Sequence, residues 1–148
     1  MNGWLWEKYL NTFLSGLLFH PRNKTGEGKL FLFEKSKGEC YPDFYNKEKR
    51  IVLDAKYKGY VDWGKVQNPN IYQVISYMHI LKANKGGFLV PKEGERQTPR
   101  HLVGNGGMMT IIGMPVNYAS DSFEGYRGYM EKQQKQLIGQ LQEYIEQY

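Results

Sequence analysis

The sequence predicts an α/β fold, with a central mixed sheet of about five strands flanked by helices, in a single domain spanning residues 1–148. Three observations predict it. Apolar residues at helical spacing open and close the chain. Short aliphatic or aromatic runs bounded by turns lie between them. A further helical stretch separates the third of those runs from the fourth. The order helix, three strands, helix, strand, strand, helix is buried most economically by layering helices on the faces of one sheet.

Residues 4–18 place Trp6, Leu10, Phe13, Leu14 and Leu17 on one helical stripe, and His20 and Pro21 stop it. Glu7 falls near the line of Leu14 and Leu18, so its carboxylate faces the core or its edge and needs a cation or metal as partner. Residues 22–28 are a polar, glycine-bearing loop. Residues 30–33 read as a strand, 36–39 as the following turn, and 40–45 as a second strand that Pro42 confines to an edge or a strand start. After a charged turn at 47–50, the run Ile51, Val52, Leu53 opens a buried third strand reaching residue 57. Short turns make the three strands an antiparallel meander.

Residues 59–69 read as a loop and 70–83 as a second helix, with Ile71, Val74, Ile75, Met78 and Leu81 at core spacing. Lys85, Gly86 and Gly87 read as the helix stop, and 88–90 as a buried strand closed by Pro91. A right-handed parallel crossover joins it to the third strand. Residues 92–107 lack periodicity and read as a basic loop, whose Arg96, Arg100 and His101 could meet a phosphate backbone. Residues 109–114 form the last strand. Ser122 caps a helix running to the end, with Phe123, Tyr126, Met130, Leu137, Leu141, Tyr144 and Tyr148 as its inner stripe.

At 148 residues, 41% hydrophobic and 24% charged, the chain can bury a proper core and is not disordered. A net charge of +5 tilts it toward polyanions, nucleic acid above all. A single cysteine, Cys40, excludes an internal disulfide and fits a reducing compartment, and three widely spaced histidines give no zinc-ligand spacing. The start lacks the basic region and apolar core of a signal peptide, and no apolar run suits a membrane span, so the expected setting is cytoplasmic.

The chemistry concentrates at the end of the third strand. Side chains alternate along a strand, so Asp54 and Lys56 share one face while Ala55 points to the other. Asp43, after Pro42, offers a second carboxylate at a strand or turn edge. Magnesium takes oxygen ligands, commonly one or two carboxylates with water completing its shell. Asp43 and Asp54 suit it, with the Ala55 carbonyl as a further oxygen and Glu7 as a third carboxylate, direct or through water. Lys56 could stabilise charge developing on a phosphate, position the attacking water, or act as base once a metal lowers its pKa. On the second helix, Gln73 and Tyr77 stack as an i, i+4 pair. Taken singly, Asp54 and Lys56 read as a surface ion pair, Glu7 as a solvated acid, and Gln73 and Tyr77 as a surface amide and a core aromatic. Their joint order makes the site.

That order is Glu7 within Leu-Trp-Glu-Lys-Tyr, Asp43 within Tyr-Pro-Asp, Asp54 to Lys58 within Ile-Val-Leu-Asp-Ala-Lys-Tyr-Lys, and Gln73 with Tyr77 within Ile-Tyr-Gln-Val-Ile-Ser-Tyr. It resembles the PD-(D/E)XK nuclease superfamily, and within it the McrC-like nuclease subunits of 5-methylcytosine-specific, modification-dependent restriction systems. The resemblance covers residues 4–91. It implies a restriction-endonuclease-like three-layer α/β/α fold and Mg²⁺-dependent DNA cleavage, with Mn²⁺ able to substitute. It implies Glu7, Asp43 and Asp54 at the metal, Lys56 as catalytic, and Gln73, Tyr77 and Lys58 as supporting or DNA-proximal residues. Two departures stand out: Asn70 where the family often has an acid, and a start almost at Glu7 where McrC-like proteins carry a region that engages a GTP-driven AAA+ motor. The chain has no phosphate-binding loop of the Gly-x-x-x-x-Gly-Lys-Ser/Thr kind, so an NTPase partner would be a separate chain.

The competing expectation is a basic nucleic-acid-binding or scaffold module of the same fold without catalysis. A nuclease acting on RNA or on branched or single-stranded DNA fits the same residues. A double-strand cut by one active site would call for a homodimer, with the long last helix as a candidate surface.

Overall fold

The computed structural model describes residues 3–21, 29–57, 62–92, 98–104, 106–116 and 122–148. Strand β4 (Ile51–Ala55) shows how its layers arise: Ile51, Val52, Leu53 and Asp54 are all buried, so both faces of the strand must be covered. It pairs antiparallel with β3 (Phe44–Asn46) and parallel with β5 (Lys85–Val90). Beyond β5 lie β7 (Met108–Gly113), parallel to it, and the two-residue β6 (Arg100–His101), antiparallel to β7. The mixed sheet therefore runs β3-β4-β5-β7-β6.

One face packs Ile51, Leu53, Leu89 and Ile112 against Trp6, Leu10 and Leu14 of α1 (Gly3–Leu14) and Leu137, Leu141 and Tyr144 of α3 (Phe123–Gln147). The other packs Val52, Phe88, Met109 and Ile111 against Val74, Tyr77 and Met78 of α2 (Asn68–Leu81). Two cores separated by one sheet make an α/β/α sandwich, as the element order predicts.

The expected meander does not form. Strands β1 (Leu30–Phe33) and β2 (Lys37–Cys40) pair only with each other, as a hairpin outside the main sheet. The chain breaks at Tyr41, Pro42 and Asp43 before β3 begins, because Pro42 has no N–H to continue a ladder. Three further expectations are corrected. The first helix ends at Leu14 rather than at residue 18, and Phe19 instead bridges Tyr45 on the β3 edge. Arg100 and His101, read as loop, form β6. On α3, Phe123, Tyr126 and Tyr148 are exposed, and the inner stripe is Met130, Leu137, Leu141 and Tyr144. The expected loop at 22–28, and Arg96 and Lys58, lie outside the described residues.

Gly86 and Gly87 belong to β5, not to a helix stop; α2 ends instead on Lys82 in the left-handed conformation. The reason is space. A Cβ on Gly87 would run into the Thr110 main-chain carbonyl of β7, which cannot give way without breaking the ladder. Gly87→Ala is therefore expected to cost about 1–3 kcal/mol, the usual penalty of overpacking, read as a lower urea midpoint at unchanged m-value.

Helix α3 is clasped to the same strand. The buried Lys85 donates to the Ile145 carbonyl (2.5 Å), and burial lowers its pKa. The Tyr144 hydroxyl lies between the Gly86 and Met108 carbonyls, at 2.9 and 3.2 Å. Among the described residues, no helix is long and apolar enough to cross a membrane.

Candidate active site

Trp6 begins the site. Fully buried, it donates its indole N–H to the Leu89 carbonyl of β5 (3.0 Å), fixing α1 over the ends of the parallel strands. The next residue, Glu7, is thereby held at the rim. After α1, reciprocal backbone bonds between Phe19 and Tyr45 (2.7 and 2.9 Å) tie the chain to β3 and bring His20 alongside. Pro42 interrupts the path into β3, and Asp43 folds back so that its Oδ2 accepts the Ala55 N–H at 2.8 Å. Asp54, on the α2 side of β4, projects beside it.

A cleft of about 400 Å³ results, lined by Glu7, Tyr41, Asp43, Asp54, Ala55, Lys56 and Gln73, with Gly3 and Tyr57. The alternation argument for Asp54 and Lys56 holds geometrically: Lys56 Nζ stands 2.8 Å from Asp54 Oδ2. That contact pairs the charges but is off hydrogen-bonding angle, and Asp54 Oδ2, though buried, accepts no hydrogen bond. Gln73 Oε1 accepts from Lys56 Nζ at 3.3 Å, so the ammonium is held between β4 and α2. Tyr77, four residues on, is buried and donates to the Tyr41 carbonyl at 3.2 Å, bracing the segment that carries Asp43. Burial, then the nearby Asp54 and Asp43 charges, raise its pKa.

The electrostatics are those of crowded acids. Burial, then the charge of Asp54 and a hydrogen bond to it, then the charge of Glu7, push the Asp43 carboxyl up to about 10. Glu7 is also raised, chiefly by burial, although His20 and a hydrogen bond from Asp43 pull it back. Crowding by Asp54 and Glu7 thus favours the protonated form of Asp43.

The sequence reading missed His20. Its Nδ1 donates to the Asp43 carbonyl (2.8 Å), its Nε2 lies 3.5 Å from Glu7 Oε1, and its ring stacks on Phe44. No local signal marks it, because it depends on the long-range Phe19–Tyr45 bridge. Glu34, another acid early in the chain, sits exposed in the β1–β2 turn, away from the cleft lining.

The donor set suits a hard divalent ion in one respect: two carboxyls, Asp43 and Asp54, crowd one cleft, and like charges so close favour a cation between them. Among the described residues, no three acid, imidazole or thiol groups stand close enough to hold an ion between them. Glu7 faces His20, so the carboxylates left side by side are Asp43 and Asp54.

Fold and cleft together define an α/β protein with clustered carboxyls and a lysine where β4 ends. A family model described as McrBC 5-methylcytosine restriction system component matches residues 1–91, and the chain belongs to that family. Membership ties it to a restriction system. No curated protein matches the chain.

Proposed function

We propose that the chain is a metal-dependent DNA endonuclease of PD-(D/E)XK type, the McrC-like nuclease component of its restriction system. The observation that carries this reading is the meeting of Glu7, Asp43, Asp54 and Lys56 from three separate segments in one cleft.

Asp43 and Asp54, with the Ala55 carbonyl, would hold Mg²⁺ or Mn²⁺, and Glu7 would reach it through water. Bound there, the ion offsets phosphate charge and lowers the pKa of the attacking water. Everything else falls to the chain. Asp54 and Gln73 hold the Lys56 ammonium at the cleft mouth, where it neutralises charge growing on the phosphate oxygens. Tyr77 fixes the Tyr41 carbonyl and so the approach of Asp43. The basic balance of the chain draws in DNA. A separate NTP-driven AAA+ subunit delivers the substrate, pairing of two chains supplies the second cut, and the work is done in the cytoplasm.

The test is cleavage of plasmid DNA by the purified chain, alone and with its NTPase partner, in Mg²⁺, Mn²⁺ or EDTA. Metal-dependent cutting is expected, and Lys56→Met should slow it by roughly 10²-fold or more, as loss of one preorganised charge-stabilising group does. Cutting that persists in EDTA, or that ignores Lys56→Met, overturns the reading. A chain that binds DNA but neither metal nor cuts is the non-catalytic module.

A further inference from the structure

Tyr41 stands at the joint between the outlying β1–β2 hairpin and the carboxyl cleft. It is 37% exposed and lines that cleft, as does Tyr57 at 39%. Single exposed aromatics are common on protein surfaces, so exposure alone means little. What sets Tyr41 apart is how firmly it is held.

The hairpin register pairs Phe31 with Glu39 and Leu30 with Cys40; one step further, Lys29 falls across from Tyr41. From there the Lys29 ammonium reaches over the tyrosine ring, 5.9 Å from its centroid, and pairs with Glu39 Oε1 at 3.3 Å. The other oxygen of that carboxylate, Oε2, accepts the Tyr41 hydroxyl at 2.5 Å. The main chain is fixed as well, because the Tyr41 carbonyl accepts the Tyr77 hydroxyl of α2. Lys29, Glu39 and Tyr41 belong to neither apolar core. Exposed pairs of this kind add little to stability. Their effect here is to hold a ring in place beside the carboxyls.

A ring fixed in advance loses little further side-chain freedom when a flat partner stacks on it. The flat group that accompanies a phosphodiester is a nucleobase. Aromatic rings that stack on bases, with cations tracking the phosphates, are how proteins hold unpaired strands. The cations are in place: Lys56 lines the cleft and Lys29 flanks the ring. Inside a duplex both faces of a base are covered by its neighbours, so only an unpaired base has a face to offer.

We propose that Tyr41 is the stacking platform for an unpaired base beside the phosphodiester in the cleft, so that the DNA held there is single-stranded. Tyr57 offers a second ring on the same lining. Negative supercoiling or an NTP-driven partner would supply such a strand from duplex DNA. The substrate assignment rests on the nuclease reading, but the platform itself is a matter of binding and is tested without cutting.

The experiment is fluorescence anisotropy of the purified full chain, in EDTA at low ionic strength. The labelled ligands are a single-stranded DNA oligonucleotide, its blunt duplex, an abasic strand of equal length, and the same sequence as single-stranded RNA. Tyr41→Leu removes the ring, and Tyr41→Phe keeps it while cutting its tie to Glu39. With the side chain outside the core, both variants should melt with the parent chain. We expect the single strand to bind more tightly than the duplex, and Tyr41→Leu to weaken it roughly tenfold, the scale of one lost base–aromatic stack. Tyr41→Phe should lose less, and neither variant should change binding of the duplex or the abasic strand. Duplex binding as tight as single-strand binding overturns the proposal. So does an unchanged affinity in Tyr41→Leu, an equal loss on the abasic strand, or binding of the RNA but not the DNA. The two readings fail separately. Binding as expected with no cutting in Mg²⁺ ends the nuclease reading and leaves the platform; cutting of single-stranded DNA that Tyr41→Leu does not slow ends the platform and leaves the nuclease.

Discussion

Asp54→Asn is expected to lower Mg²⁺-dependent DNA cleavage by roughly 10³-fold or more, several kcal/mol of lost transition-state stabilisation, while the metal-free protein stays at least as stable. The two halves of this result share one cause. Asp54 is 3% exposed, stands beside two other acids and pairs with Lys56, and on the nuclease reading its carboxylate holds the ion. The amide keeps the shape and removes the crowding. Lys56 loses its charge partner, but its side chain is 22% exposed and still bonded to Gln73, so water and the amide can take over. A plasmid-nicking time course paired with thermal melting in EDTA separates catalysis from folding. Cleavage that survives would remove the cleft as the catalytic centre. Lost cleavage with a collapsed melting curve would make Asp54 structural.

Without metal, stability is expected to fall as pH rises across the neutral range. The Asp43 carboxyl moves from 3.8 to about 10 on folding. The folded chain therefore keeps a proton that the unfolded chain releases. That contribution is complete below pH 3.8 and is lost as pH climbs toward about 10. Glu7, also raised, adds in the same direction. Urea unfolding in EDTA at acid, neutral and alkaline pH should show the decline, and Asp43→Asn should flatten it. Saturating Mg²⁺ should flatten it too, because the ion separates the charges that the proton otherwise screens. Stability that rises across this window would mean that the carboxyls are not crowded.

What the sequence made legible follows the range of each signal. Alternation along a strand is local, so the shared face of Asp54 and Lys56 could be read directly. The helical stripe of Trp6, Leu10 and Leu14 and the cap at Ser122, whose hydroxyl accepts the Gly125 N–H at 3.0 Å, are local as well. Pro42 announced a break, but not that β1 and β2 would leave the sheet altogether. Gly86 and Gly87 misled because two glycines after a helix look like a stop. Their actual reason, the closeness of Met78 and Thr110, exists only once α2 and β7 are packed. His20 reaches the acids through a backbone bridge to a strand far away in sequence, and the left-handed Arg50 and Lys82 carry no glycine to announce them. Periodicity reports the face a residue takes, not the neighbours it will meet.

The clasp of α3 on β5 sets a timetable for the working protein. Every acid of the cleft, together with Lys56 and Gln73, has been synthesised by residue 73, but the helix that seals the face carrying α1 is not held until Tyr144 and Ile145 meet Gly86 and Lys85. At ribosomal speed those roughly seventy further residues take about 4–15 s. Through that interval a nascent chain owns the carboxylates but not the sheet that aims them. On the nuclease reading, the cleft is aimed only once α3 has docked on β5.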